Sequence, residues 1–184
     1  EFIDTAQKLS KLVGQENNTT FIQADALNLP FEDKTFDVVW TQHVQMNIEN
    51  KAQFYSEINR VLTENGVLIY YDIFKKGDGG INFPVPWANN STVSFLANTF
   101  TIDTHLVDLD FTKLTTIDQT FKAKEFLNGL FERIKNDGPP KLGLNVLMGE
   151  QTKEKLGNIF KGLKEDKLEL QSGIYKKTAI AYND

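Results

Sequence analysis

The chain has 184 residues, of which 40% are hydrophobic and 24% charged, and this length and composition fit one domain with a packed core. Its net charge of −5 argues against the broad basic surface that a nucleic-acid partner needs. The absence of cysteine excludes disulfides, a thiolate nucleophile and cysteine-ligated zinc. No apolar run approaches the roughly 18 residues of a membrane span, and no signal peptide is visible. We therefore expect a cytoplasmic protein whose partner is neither a membrane nor nucleic acid.

Apolar periodicity and turn residues predict helices and short strands in alternation along the chain. The predicted helices cover residues 1–13, the stretch after Asn50, and residues 102–109, 123–136 and 153–163. The predicted strands cover residues 20–23, 37–40, 67–73, 111–120 and 167–175. Short strands joined by amphipathic helices are typical of an α/β sheet with parallel strands.

Three local signals refine this pattern. Asn50 is a good N-cap residue, and Gln53 three positions later completes the signature of a capping box. Thr101 is a second candidate cap. Pro84 and Pro86 stand two apart, which predicts a stiff, extended segment leading to Trp87.

Polar side chains follow two of the predicted strands at their carboxyl ends, where open α/β sheets bind ligands. Asp25 follows the strand at residues 20–23, and Thr41, Gln42 and His43 follow the strand at residues 37–40. An acid at a strand end can also be an ordinary turn cap, and a histidine there can be a structural hydrogen-bonding group.

The two segments ADALNLPFEDKTFDVVWTQHVQMNI (residues 24–48) and EINRVLTENGVLIYYDIF (residues 57–74) resemble the core of class I S-adenosylmethionine-dependent methyltransferases. Within that superfamily they are similar to the small-molecule group that includes the glycine, sarcosine and dimethylglycine N-methyltransferases and the quinone C-methyltransferases. The resemblance covers residues 1 to about 75 well and continues more loosely through FPVPWANNSTVSFL and GPPKLGLNVLMG.

The resemblance implies a Rossmann-like α/β sheet that is mostly parallel, with an antiparallel last strand and a helical insertion at residues 121–165. It also implies that the family's first two strands, with the glycine-rich turn and the ribose-binding acid, precede residue 1. We therefore expect residues 1–184 to be one methyltransferase domain that is incomplete at its N-terminus. A site built from these residues alone would lack part of the cofactor contacts, and the strand at residues 37–40 would expose an unpaired edge.

The resemblance also assigns roles to particular residues. Asp25, Ala26 and Leu27 would bind the adenine of S-adenosylmethionine, and Thr41, Gln42 and Met46 would contact its methionine part. His43 would be the catalytic group that accepts a proton from the acceptor. Trp87 and Asp72 would bind the acceptor, and no metal is required. Met46 and Trp87 could instead be packing residues, and Asp72 a turn cap.

The function predicted from the sequence is S-adenosylmethionine-dependent methylation of a small molecule, with an amine nitrogen as the favoured acceptor. Quinone or other C- and O-methylation is one alternative. A nicotinamide-dependent dehydrogenase is a weaker one, since its glycine fingerprint does not appear. The third is a catalytically silent Rossmann-like binding protein. The sequence does not specify an oligomeric state.

Overall fold

A computed structural model describes residues 1–178 and shows a mixed four-stranded sheet in the order β1-β2-β4-β3. The strands are β1 (Phe36–Gln42), β2 (Leu62–Lys75), β3 (Phe111–Asp118) and β4 (Leu168–Lys177). The helices are α1 (Phe2–Leu12), α2 (Lys51–Val61), α3 (Thr99–Asp108), α4 (Thr120–Asp137), α5 (Leu144–Met148) and α6 (Thr152–Lys164). Among the described residues, no helix has both the length and the apolar character needed to cross a bilayer.

The sheet confirms the α/β class and the antiparallel last strand. Strands β1 and β2 are parallel, with Trp40 opposite Ile69, and α2 connects them. Strand β4 runs antiparallel to both β2 and β3. Within residues 1–178 the β1–β2 pair is therefore the single parallel pair, because β4 takes part in both of the others.

The strand predicted at residues 20–23 is wrong for the described structure. These residues belong to no ladder, and the segment closes with an isolated bridge between Asp25 and Asn28. A strand needs a hydrogen-bonding neighbour, and β1, at the edge of the described sheet, pairs only with β2. On that edge strand Val38 and Trp40 are 53% and 67% exposed.

Two hydrophobic clusters lie on opposite faces of the sheet, because successive side chains of β2 point to opposite sides. Leu68, Tyr70 and Phe74 pack in the cluster that contains α2 and α3. Tyr71 and Ile73 face the cluster that contains α4 and α6. Helices α4 to α6 lie between β3 and β4 in the chain, in the region where the helical insertion was predicted.

The helix signals are confirmed in part. Asn50 caps α2, since its side chain accepts the Gln53 N–H at 3.0 Å. The second half of the capping box is wrong, because the Gln53 amide donates to the Leu27 carbonyl at 3.1 Å instead. Helix α3 begins earlier than predicted, and Asn98 rather than Thr101 caps it, because its side chain accepts the Thr101 N–H at 2.8 Å.

The segment around Pro84 and Pro86 is not extended. Val85 and Ala88 exchange backbone hydrogen bonds of 2.8 and 3.1 Å, which closes a tight turn with Pro86 and Trp87 at its corner. Proline fixes φ at a value that the second position of such a turn also requires, so the same residue type suits both structures. The turn places Trp87 beside the sheet face that α6 covers.

Candidate active site

His43 follows the last residue of β1 and has a left-handed backbone, with φ of 52°. Its N–H donates to the Tyr71 carbonyl at 2.9 Å, and its ring lies edge-to-face with the Tyr71 ring, 5.3 Å between centroids. A positive φ is uncommon for a residue with a side chain, and such residues cluster at functional sites. The turn at His43 ends β1 and directs the chain across β2.

Asp72 holds the loop that follows His43. Its side chain is 1% exposed, and one carboxylate oxygen accepts the N–H groups of Val44 and Gln45 at 3.2 and 3.3 Å. Burial raises the pKa of Asp72 to about 6, and the backbone donors oppose that rise. The Gln45 amide also donates to the Ile73 carbonyl at 2.6 Å. Asp72 therefore holds the loop in position through these hydrogen bonds and lines neither cavity. This position differs from the predicted contact between Asp72 and the acceptor.

Lys51, at the start of α2, supports the far end of the same loop. Its ammonium donates to the carbonyls of Ile48 and, at 2.7 Å, Phe95, while the Phe95 N–H donates to the Met46 carbonyl at 2.9 Å. Burial lowers the pKa of Lys51 to about 8, and the negative charge of Asp72 counteracts this. The loop from His43 to Ile48 is thus tied to β2, to α2 and to the segment before α3.

Two neighbouring cavities open beside this loop, with volumes of about 410 and 470 Å³. Both are lined by His43, Ile73 and Ile159. The first extends along α4 to Lys122 and Phe126, and Tyr71 and Gln119 also line it. The second reaches the loops and α5 through the following side chains: Met46, Asn47, Pro86, Trp87, Leu144 and Met148.

The surroundings of His43 set its protonation state. Partial desolvation by neighbouring groups lowers the pKa of the imidazole below its ordinary value of 6.5. The ring is therefore neutral at neutral pH, with one nitrogen available to accept a proton. Because the ring lines both cavities, a molecule in either one lies within its reach.

The three predicted adenine contacts form a separate, exposed turn. Asp25 Oδ1 accepts the Leu27 N–H at 2.9 Å, and the Asp25 carbonyl accepts the Asn28 N–H at 3.1 Å. This is the turn-capping geometry that the sequence left open. Among the described residues no hydrogen bond to Asp25 Oδ2 is formed, so that oxygen is available to a ligand, while Ala26 and Leu27 pack against the core.

Helix α2 fixes the chain that follows this turn. The Glu57 carboxylate accepts the Leu29 N–H at 2.7 Å, and Arg60 donates to the carbonyls of Leu29 and Phe31 at 3.0 and 2.7 Å. Arg60 also binds Glu57 at 2.8 Å, which holds the pKa of that carboxyl below its ordinary value. The sequence analysis missed this pair, although an acid and an arginine three apart on a helix are a recognisable signal.

The structure therefore brings together some of the predicted site residues and separates others. His43, Met46 and Trp87 meet at one cavity, where the Trp87 indole N–H donates to Ser94 Oγ at 2.9 Å. Thr41 and Gln42 are the last residues of β1 and line neither cavity. The lining residues from α4 and α6 could not be predicted, because they lie far from His43 in the chain and no local pattern indicates the contact.

Comparison with known proteins finds that the N-terminal part of the chain is similar to methyltransferases. Residues 1–70 match the family model described as "Methyltransferase domain". Over 66 residues the chain is 42% identical to the ubiquinone/menaquinone biosynthesis C-methyltransferase UbiE of Blochmanniella pennsylvanica, a match that covers 36% of this chain and 26% of that protein. Over 69 residues it is 35% identical to norajmaline N-methyltransferase of Rauvolfia serpentina, and this match covers 38% of this chain and 24% of that protein.

A solved structure extends the comparison to the fold. A Galdieria sulphuraria protein assigned as a sarcosine dimethylglycine methyltransferase superimposes with a TM-score of 0.72 and 18% identity, covering 95% of this chain and 65% of that one. The chain thus spans about two thirds of that structure, and its matches span about a quarter of the curated relatives. The resemblance to the class I methyltransferases is confirmed, in sequence over residues 1–70 and in fold over the described chain.

Proposed function

We propose that the protein transfers a methyl group from S-adenosylmethionine to a small-molecule acceptor. The observation that carries this proposal is the position of His43. It ends a strand within the segment that matches the methyltransferase domain, and its neutral ring lines two ligand-sized cavities. Methyl transfer from a sulfonium needs chiefly positioning, exclusion of water and a group that takes a proton, and the neutral imidazole of His43 would be that group.

The turn at Asp25 suits the adenine end of the cofactor. Asp25 Oδ2 is open to a donor such as an exocyclic amine, and the turn is held by its own hydrogen bonds and by the Gln53 amide, which donates to the Leu27 carbonyl. Thr41 and Gln42, the last two residues of β1, would hold the methionine part, and Met46 would contact it at the wall of the second cavity, where cofactor and acceptor meet. When bound, the cofactor supplies an electrophilic methyl group.

We favour an amine nitrogen as the acceptor atom. The neutral imidazole of His43 would accept the proton that an amine loses on methylation. Trp87 lines the same cavity, and an indole face there would stabilise the positive charge that develops on nitrogen, by roughly 0.5–2 kcal/mol. Quinone or other C- or O-methylation is the alternative. The 42% sequence identity over 66 residues to the ubiquinone/menaquinone C-methyltransferase favours it.

Calorimetry with S-adenosylhomocysteine on the full-length protein tests the cofactor assignment. We expect a single site, and we expect Asp25→Ala to weaken it by about 1–3 kcal/mol, the range for leaving a buried hydrogen-bonding partner, here the amine of the bound cofactor, unpaired. Asp37→Ala is the matched control, because Asp37 is an exposed acid on β1 whose carboxylate accepts only the Thr63 hydroxyl among the described residues. No heat from the unaltered protein would favour a silent binding protein, and equal affinity in the Asp25 variant would remove Asp25 from the site.

A further inference from the structure

We propose that the acceptor is a mostly apolar molecule with a negatively charged group, and that its charge lies at Lys122 while its apolar body lies against α6 beside His43. This deepens the proposed function and rests on it, because it assigns both cavities to the acceptor. The inference comes from what lines the cavities, from their size and from the charges at their rims.

Apolar side chains dominate the walls on both sides of His43. Ile73 of β2 and Ile159 of α6 line both cavities and belong to the same hydrophobic cluster. Phe126 and Leu127 of α4 line the first, and Met46 and Trp87 line the second. A molecule with a hydrocarbon or ring body would gain about 25 cal/mol for each Å² of apolar surface that it buries here.

The cavity volumes indicate that this apolar body is larger than an amino acid. The cavities hold about 410 and 470 Å³, within the range of sites for drug-sized ligands. An amino acid such as sarcosine would leave most of either cavity to water against apolar walls, and its carboxylate would find few donors there. A body of several rings or a long hydrocarbon chain replaces more of that water, since a single ring suits a cavity of only about 150 Å³.

The one charged side chain that lines these cavities, among the described residues, is positive. It is Lys122, which lines the first cavity, and no aspartate or glutamate lines either one. Lys122 is exposed and forms no ion pair in the described chain, whereas its neighbour Lys124 lies 3.6 Å from Asp166. A carboxylate, sulfonate or phosphate on the acceptor is the group that this ammonium would bind.

The order of these groups along the cleft places the reacting atom. Lys122 lines the first cavity, Trp87 lines the second, and His43 lines both. An anionic group at Lys122 would therefore hold the molecule so that an atom beside its apolar body faces His43. The same contact would discriminate against acceptors with a second positive charge, which would meet no carboxylate on the cavity walls.

Two dyes that share one apolar body test the charge and the body separately. The probe 8-anilinonaphthalene-1-sulfonate is an apolar arylamine with an anion, and N-phenyl-1-naphthylamine has the same rings without it. The chain has two tryptophans, so Trp40→Phe leaves Trp87 as the donor for energy transfer to either bound dye. The titrations use the full-length protein, both without and with millimolar S-adenosylhomocysteine, whose own binding is measured separately.

We expect Lys122→Gln to weaken binding of the sulfonate by about two- to fivefold, as for an exposed ion pair, and to leave the uncharged dye unchanged. Lys135→Gln is the matched control, since Lys135 is an exposed lysine at the other end of α4. We expect Phe126→Ser to weaken both dyes, with Phe100→Ser as its control, because both rings are exposed but only Phe126 lines a cavity. All four sites are on the surface, so folding is preserved.

The outcomes separate this inference from the proposed function. If S-adenosylhomocysteine binds but Lys122→Gln affects neither dye or both equally, the charge assignment is wrong and the methyltransferase proposal stands. If millimolar sarcosine displaces the dyes, the acceptor is small and polar, and the inference is overturned. If the dyes show the expected pattern but S-adenosylhomocysteine does not bind, the cleft binds an apolar anion and the methyltransferase proposal fails.

Discussion

The substitution Asp72→Asn should make the protein more stable at neutral pH, although it removes a buried charge that accepts three backbone hydrogen bonds, from Val44, Gln45 and Ile73. A rise in the pKa of Asp72 from 3.8 to about 6 means that the charged form costs ~3 kcal/mol relative to the protonated form in the folded protein. Asparagine keeps one acceptor oxygen for the Val44 and Gln45 N–H groups without the charge, but its NH2 group replaces the oxygen that accepts the Ile73 N–H at 3.1 Å, which offsets part of the gain. Lys51 loses an attractive partner but retains its two carbonyl acceptors, so we expect a net gain of about 1–3 kcal/mol.

Urea unfolding at several pH values measures this difference. Because the folded pKa of Asp72 is raised, its contribution to stability is fully present below pH 3.8 and is lost as the pH rises through about 6. The gain of Asp72→Asn over the unaltered protein should therefore be near zero at pH 4 and reach its full value above pH 7. Asp37→Asn, on an exposed carboxylate, should change stability by less than about 0.5 kcal/mol. A loss of more than 1 kcal/mol in Asp72→Asn at pH 7.5 would refute the reasoning and show that the charge stabilises the loop.

Further predictions concern catalysis and packing. His43→Ala should lower turnover by about 10²–10⁴-fold with little change in affinity for S-adenosylhomocysteine, and the rate of the unaltered enzyme should fall as the pH drops below the lowered pKa of His43, which a pH–rate profile would reveal. Unchanged kinetic constants would make His43 structural. Gly173→Ala should cost about 1–3 kcal/mol in urea unfolding, because an added Cβ would lie 2.5 Å from the ring of Tyr70. Its control is Gly157→Ala in α6, where a Cβ meets no atom within 4 Å and helix propensity predicts a gain of up to about 1 kcal/mol. A neutral result at Gly173 would show that the Tyr70 ring moves aside.

The secondary structure was predictable wherever the signal was local. The helix after Asn50 is an example, since its cap and apolar stripe lie within about three turns of chain; its end was not, because β2 begins at Leu62 directly after the helix. Residues 20–23 show the opposite case. Their β-branched and aromatic residues favour a strand, but pairing is decided by a neighbour that the segment does not encode. Likewise, Pro84 and Pro86 restrict φ without choosing between an extended segment and the turn that forms.

The residues of the candidate site were likewise predictable only where the signal was local. His43 follows a strand that its own pattern predicts, and a strand end is where α/β folds place ligands. The cavity walls from Phe126 and Ile159 belong to α4 and α6, whose apolar stripes indicate only that some face is covered. The role of Asp72 was undecidable from sequence, because an acid late in a strand can face either side and the register of β2 decides which.

That register also explains how the fold builds the site. Tyr71 and Asp72 are adjacent on β2, so their side chains point to opposite faces of the sheet. The Tyr71 carbonyl and ring hold His43 on the cavity side, while the Asp72 carboxylate holds Val44 and Gln45 from the other side. The loop is therefore held from both faces by two consecutive residues, and the left-handed backbone of His43 is the point where the chain passes between them. A one-residue shift of β2 would exchange the two contacts and remove the imidazole from the cavities, which makes the β1–β2 pairing a requirement of the proposed chemistry as well as of the fold.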